Sequence, residues 1–444
     1  MTTGGSTAHR ALARVNVAAI ERNCARLRGD LHDGAELCAV VKADGYGHGA
    51  VQSARAALAG GASWLAVAAA SEARELREAG LHDAGLPGSS QRRPRGVNLR
   101  DARILVMGAL TEHELAQALV ADADVVVWSE RQVQAVRVAG GGRVHVKLDS
   151  GMGRLGTRDP VQASRTVAAA RDADGVELVG LMTHFATADD RGDDGFFALQ
   201  LGRFTEWAMA VKAEQPELIV HAANSAALLR EEAGQLDMVR CGIAIYGMDP
   251  FGDDPVARGL EPALELSSYV AEVKRCEAGE SAGYGRRFVA ERDTWLAVLP
   301  IGYGDGWRRA CSNNADVLIA GRRYPLVGTV SMDNITVDLG PDASEELLGA
   351  EAILIGSAAT VAAGDGAQGA KRITAEDVAR RLGTINYEVT CALTPRVPRL
   401  YHRDGEPLEE EHTELVVGAT DTGLPAQGGG RSSGGAATGA GGSA

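Results

Sequence analysis

The chain has 444 residues, about three times a typical domain, so more than one domain is expected and roughly three quarters of the unfolded surface can be buried. Its 45 Lys+Arg against 59 Asp+Glu leave a net charge of −14, which offers no basic field to a nucleic-acid backbone or an anionic membrane surface. No apolar run reaches the ~18 residues that would cross a bilayer, and residues 1–20 lack the continuous apolar core of a signal peptide, so a cytoplasmic protein is expected. The cysteines Cys24, Cys38, Cys241, Cys276, Cys311 and Cys391 are scattered, with no CxxC pair and no His at ligand spacing. They read as reduced thiols, and no metal is expected.

In chain order, short β-rich apolar runs fall at 37–42, 64–68, 103–107, 124–128, 143–148, 177–183, 217–221 and 237–240, with amphipathic helical patterns between most of them. Ile20, Cys24 and Leu27 share one helical face, and Asp159 before Pro160 reads as an N-cap followed by the first helical position. Eight strands alternating with helices over about 250 residues predict a (β/α)₈ barrel spanning 1–262. A doubly wound sheet is the competitor, but no GxGxxG follows the first strand. From 263 to 417 the helical period fades and β-rich runs dominate, predicting a mostly β second domain, with one late helix announced by the Thr374/Asp377 capping box. The 88–100 stretch reads as a surface loop, and 418–444, rich in Gly, Ser and Ala, as a disordered tail.

Barrels of this kind keep their chemistry at the C-terminal ends of the strands. Lys42 ends the first run and precedes ADGYGHG; Lys147 ends the fifth and precedes DSGMGRLG; His184 follows the sixth; HAANSA follows the seventh; Arg240 ends the eighth. Singly, each has an ordinary reading: a solubilising lysine, a satisfied imidazole, a rim ion pair. A lysine closing an apolar strand is nonetheless costly without a task, and its amine suits a Schiff base with an aldehyde cofactor. Gly45 and Gly47 flank Tyr46, and Ser225 with the Cys241–Gly242–Ile243 turn occupies the positions after strands seven and eight where barrels often bind phosphate. Lysine plus phosphate cradle suggests pyridoxal 5′-phosphate; a sugar phosphate fits the cradle as well.

The segment AVVKADGYGHG (39–49) resembles the cofactor-lysine signature of the alanine racemases. The similarity runs from about residue 9 to 417 through HVKLDSGMGRLG (145–156), THFATAD (183–189), NSAA (224–227), VRCGIAIYG (239–247), AGYGRRF (282–288), IGYGDGWRR (301–309), VSMDN (330–334) and NYEVTCALTPRVPR (386–399). What the resemblance implies is a pyridoxal-phosphate-dependent enzyme that interconverts L- and D-alanine for peptidoglycan precursors, working as a homodimer with shared active sites. A serine or broad-specificity racemase is the alternative. Lys42 would hold the cofactor and act as base on one face of the substrate α-carbon; Tyr284, from the partner subunit, would be the opposing base. Arg240 would face the pyridine nitrogen, and His184 would stack near the ring. Tyr46, Ser225, Gly242, Ile243 and Tyr387 would hold the phosphate. Arg154 would bind the ring hydroxyl side and the substrate carboxylate, assisted by Met332; Lys147 would be carbamylated to orient Arg154; Tyr303 and Tyr387 would narrow the entrance, with Asp305 and Arg309 lining the approach. The chain departs from the family pattern at Cys241, where proline is usual, at Gly304, where alanine is usual, and in the 88–100 loop and the tail. A non-enzymatic carrier of the cofactor would lack the β domain, and a decarboxylase of related fold would be expected to put a carboxylate where Arg240 stands.

Overall fold

The computed structural model describes residues 9–83, 99, 102–192, 194–230, 234–357 and 372–408. The expectations for the tail, and for 88–100 apart from Leu99, lie outside the described residues. Strand β1 (Ala11–Asn16) leads into eight parallel strands, β2 (Glu36–Val40), β3 (Trp64–Val67), β4 (Arg103–Val106), β5 (Asp124–Val127), β6 (Gly142–Lys147), β7 (Val176–Met182), β8 (Ile219–Asn224) and β9 (Met238–Cys241). They close into a barrel in sequence order, β2 pairing with β9 in parallel. Each expected run therefore forms a barrel strand, within a few residues at either end. The strands are buried on both faces, as parallel strands wrapped by helices must be, so they appear as continuous apolar runs instead of alternating ones.

The helices obey local chemistry. In Val17–Gly29, Asn16 caps the first turn through Ala18 N–H, and Ile20, Cys24 and Leu27 are fully buried. In Pro160–Asp172, Asp159 accepts from Val161 N–H and Pro160 starts the helix, where its missing N–H costs nothing. The Thr374/Asp377 capping box opens Ala375–Leu382. No helix among the described residues is long and apolar enough to cross a membrane.

After the barrel the chain forms a mainly antiparallel sheet of eleven strands among the described residues, running in spatial order Glu272–Cys276, Thr294–Leu299, Ile335–Gly340, Arg322–Val327, Asp316–Ile319, Glu351–Ser357, Leu264–Tyr269, β1, Arg399–Arg403 and Glu406–Pro407, with Arg372–Ile373 paired onto Glu351–Ser357. One element departs from the sequence reading. Strand β1, expected within the barrel segment, pairs antiparallel with Leu264–Tyr269 and parallel with Arg399–Arg403. Its alternation explains this: Ala11, Ala13 and Val15 are buried while Leu12, Arg14 and Asn16 are partly exposed, the pattern of a one-sided sheet and not of a barrel wall. All six cysteines are free thiols, five of them buried.

Candidate active site

Lys42 stands two residues past the end of β2, at the C-terminal mouth of the barrel. The chain then makes a left-handed turn: Ala43, Asp44, Gly45 and Tyr46 have φ of 53°, 52°, 59° and 55°. Only Gly45 adopts this without strain. The turn is held from outside. Glu72 accepts from Ala43 N–H at 2.7 Å, the Asp44 carboxylate accepts from Ala50 N–H at 3.1 Å, and Arg399, from the second sheet, donates to the Gly47 carbonyl at 3.2 Å. A Cβ on Gly47 would lie 2.1 Å from the Thr390 carbonyl oxygen, so glycine there lets the turn approach the helix Asn386–Cys391 that carries Tyr387.

This turn delivers Tyr46 to the phosphate-cradle positions. Its ring lies 5.1 Å from Tyr246 and 5.9 Å from Tyr387. A Cβ on Gly242 would come within 2.4 Å of Tyr46 Oη, so the tyrosine and the glycine turn share one space. Ser225, which opens the helix after β8, accepts from Gly242 N–H at 3.0 Å and ties the loops after β8 and β9 together. The expected set Tyr46, Ser225, Gly242, Ile243 and Tyr387 is thus assembled in one place, lined by small residues, hydroxyls and the first turn of Ile243–Tyr246, which fits a phosphate group.

Cations surround Lys42. Burial lowers its pKa, and Arg154 and Arg240 push the same way. Lys147, at the end of β6 and 4% exposed, is lowered to about 8 by burial and then by Arg240 and Arg154. Asp149 does not pair with it. That carboxylate accepts from Gly151 and Gly153 N–H and faces Arg158, and among the described residues no carboxylate lies within ion-pair range of Lys147. Arg240 is buried, donating to His221 Nδ1 at 2.8 Å, to the Thr183 and Ala222 carbonyls at 2.8 and 3.0 Å, and lying 3.3 Å from His184 Nδ1. Burial and the nearby guanidiniums hold His184 neutral, its pKa well below 6.5.

The second domain presents a different face. Tyr284, on a short turn between Gly283 and Gly285, is 73% exposed, and among the described residues no ring contact or side-chain hydrogen bond joins it to a barrel residue of the same chain. Met332 and Tyr303 are also exposed. Tyr303 and Arg309 line an open cavity of about 420 Å³ with Arg308, Ala392 and Thr394. Asp305, expected along the approach, is instead fully buried, accepting from Gly302 N–H and paired with Arg10 and Arg396. It sits at the third position of a tight turn whose N–H groups need an acceptor. Gly304 has a local reason: Arg396 Nη1 lies 2.1 Å from where an alanine methyl would be built.

The sequence reading missed His221, His145 and Asp124, which the structure links to Arg240. Their signal was strand alternation. In β6, residues 143, 145 and 147 point the same way, and the first two reach Asp124 while the third reaches the mouth.

The alanine racemase N-terminal domain model matches residues 15–250 and the C-terminal domain model residues 263–401. Alanine racemase 1 of Bacillus subtilis is 36% identical over 410 residues, covering 91% of this chain and 96% of that protein, and alanine racemase of Thermobifida fusca is 39% identical over 400 residues, covering 88% and 97%. Among solved structures, alanine racemase from Streptomyces coelicolor superposes with a TM-score of 0.75 at 38% identity, covering 88% of this chain and 98% of that one. The Bacillus anthracis enzyme with bound L-Ala-P gives 0.76 at 32% identity, covering 90% and 97%. With the barrel and the second sheet in agreement with both domain matches, the chain belongs to the alanine racemase family, a family of pyridoxal-phosphate-dependent amino-acid racemases.

Proposed function

We propose that this chain racemises alanine with two bases, Lys42 and Tyr284 of the partner subunit, in a cytoplasmic homodimer. The observation that carries the reading is the setting of Lys42: a lysine of lowered pKa at the barrel mouth, beside a buried Arg240 and a tyrosine-lined cradle. When bound, the cofactor supplies an aldehyde for the substrate amine and a ring that withdraws electrons from the α-carbon. Tyr46, Ser225, Gly242, Ile243 and Tyr387 would hold its phosphate, Lys42 would hold its aldehyde end, and Arg240 would face its ring nitrogen, where a permanent cation would disfavour protonation and limit electron withdrawal to what racemisation needs.

The chain's own groups then move two protons, one off the α-carbon and one onto its opposite face. In the L-to-D direction one base takes the α-proton and the other returns a proton to the opposite face; in the reverse direction the roles exchange. Lys42 Nζ serves one face, its lowered pKa favouring the neutral amine that a base requires near neutral pH. Tyr284 Oη serves the other. Its exposure in a single chain, with Tyr303 and Met332 on the same domain, supports a position completed by a second copy. Arg154 takes the substrate carboxylate, with Met332 assisting. A carbamate on Lys147 turns a buried cation, with no carboxylate in ion-pair range among the described residues, into an anion facing Arg154 and Arg240, which supports carbamylation there. Tyr303 and Tyr387 narrow the approach to a methyl side chain. D-amino-acid formation measured separately from L-Ala, L-Ser and bulkier L-amino acids tests this, with alanine expected to lead in kcat/KM. Equal turnover of serine would replace the alanine-specific reading with a broad-specificity racemase.

A further inference from the structure

A line of buried polar groups runs through the barrel interior beneath Arg240. Asp124, the first residue of β5, is fully buried and bound by Arg103 at 2.6 Å and Arg143 at 2.7 Å. Its Oδ2 lies 3.1 Å from His145 Nε2; His145 Nδ1 lies 2.9 Å from His221 Nε2; His221 Nδ1 lies 2.8 Å from Arg240 Nη1. Both histidines are fully buried. Space for the middle of this line is reserved by Gly180, where a Cβ would sit 2.4 Å from His145 Nδ1, and Trp64 closes the flank, edge-on to His145 at 5.7 Å.

The two ends admit one arrangement of protons. A guanidinium only donates, and a carboxylate held ionised by two arginines only accepts. His221 must therefore present a lone pair at Nδ1 and a proton at Nε2, and His145 the same. Protonating His221 fully, or reversing either tautomer, sets two N–H groups against each other in a buried interior. Burial, with Arg240 nearby, also disfavours a charged His221.

We propose that Asp124, His145 and His221 form a one-directional hydrogen-bond relay that fixes the orientation of the Arg240 guanidinium, making Asp124 and His145 positioning residues that never touch substrate or cofactor. The relay rests on the placement of Arg240 beside the cofactor ring given above. It begins at the N-terminal end of the barrel, whose residues ordinarily serve stability, and carries an anion's influence to the C-terminal mouth.

Nitrogen-15 NMR of the holoenzyme labelled in histidine reads the relay directly. Both His145 and His221 should show protonated Nε2 and bare Nδ1; either ring found doubly protonated or in the other tautomer overturns it. Two substitutions separate relay from packing. Gln in His145→Gln can donate to Asp124 through its amide N–H and accept from His221 through its oxygen, whereas His145→Leu fills the space without either bond. His145→Leu should lower kcat at least about tenfold, the scale of a hydrogen bond to a charged group, and shift the absorbance band of the bound cofactor, with KM little changed. His145→Gln should restore most of both. Equal kcat and equal spectra in the two variants would overturn the relay. If the Leu variant does not fold, the tautomers of the wild type decide. Correct tautomers together with an Arg240→Leu holoenzyme of normal kcat would overturn the placement of Arg240 itself.

Discussion

Replacing Gly242 by alanine tests the phosphate cradle at its tightest point. Gly242 has a negative φ of −108°, so the penalty of left-handed backbone does not enter. The added methyl would lie 2.4 Å from Tyr46 Oη and 2.9 Å from its Cζ, where ordinary contact begins near 3.4 Å, so the ring must retreat by about 1 Å. It has little room to do so. Tyr246 stacks against it at 5.1 Å and is itself pinned by a 3.0 Å hydrogen bond to the Val40 carbonyl, while Tyr387 closes the other side at 5.9 Å. Overpacking of this kind costs about 1–3 kcal/mol, which corresponds to roughly a 5- to 150-fold rise in the Kd for pyridoxal phosphate if the displacement falls on the cradle. Titration of cofactor-free protein by absorbance, with melting temperature measured in parallel, provides the assay. An unchanged Kd would show that Tyr46 and Gly242 do not share the phosphate position.

Lys147, held near 8 in place of its ordinary 10.5, should have a neutral-amine fraction at pH 7 raised by about 10^(10.5 − 8), roughly 300-fold. Labelled bicarbonate should accordingly give a carbon-13 carbamate signal on the holoenzyme that disappears in Lys147→Ala and fades as pH falls through 7 to 6, because protonation removes the nucleophile; absence of the signal at pH 8 would refute carbamylation. Lys42→Ala and Tyr284→Ala should each be inactive alone, yet mixing them by subunit exchange should restore roughly a quarter of wild-type activity, since about half the dimers are mixed and each then holds one intact site. Zero recovery in verified heterodimers would rule out a shared site. Gly304→Ala should leave kcat within about threefold, because the nearest atom in its way is the far end of the long Arg396 side chain, which can shift while keeping its carboxylate partners; a collapse in activity would show that this guanidinium is fixed for function.

The barrel was legible in the sequence because its strands are buried on both sides, leaving runs such as WLAV and DVVV between amphipathic helices. Lys42 and Arg240 were legible for a related reason: a charge at the end of such a run demands an explanation. Strand β1 was harder, because ALARVN alternates and its partners lie some 250 and 390 residues away, a pairing that local pattern does not reveal. His145 and His221 looked like interruptions of apolar strands, and their meaning depends on facing each other across the barrel from β6 and β8. Asp305 misled because its neighbours Tyr303 and Arg309 do line a cavity while its own side chain turns inward.

The left-handed turn after Lys42 makes the second domain a splint for the first. Ala43, Asp44 and Tyr46 pay roughly 3–6 kcal/mol together for their positive φ, an amount comparable to the whole stability of a small fold. Part of the restraint comes from Arg399, whose guanidinium meets the Gly47 carbonyl and lies 3.6 Å from the Asp44 carboxylate, and which also ties down the carbonyls of Leu393, Thr394 and Val397. Arg399 belongs to the strand beside β1, so segments from early and late in the sequence converge on the brace. A barrel cut free after residue 250 would keep its lysine but lose this support, and the loop would relax toward ordinary backbone, swinging Tyr46 away from Gly242. The two domains of the chain are thus joined mechanically as well as chemically, and neither could have been exchanged for another module without resetting the posture of the lysine.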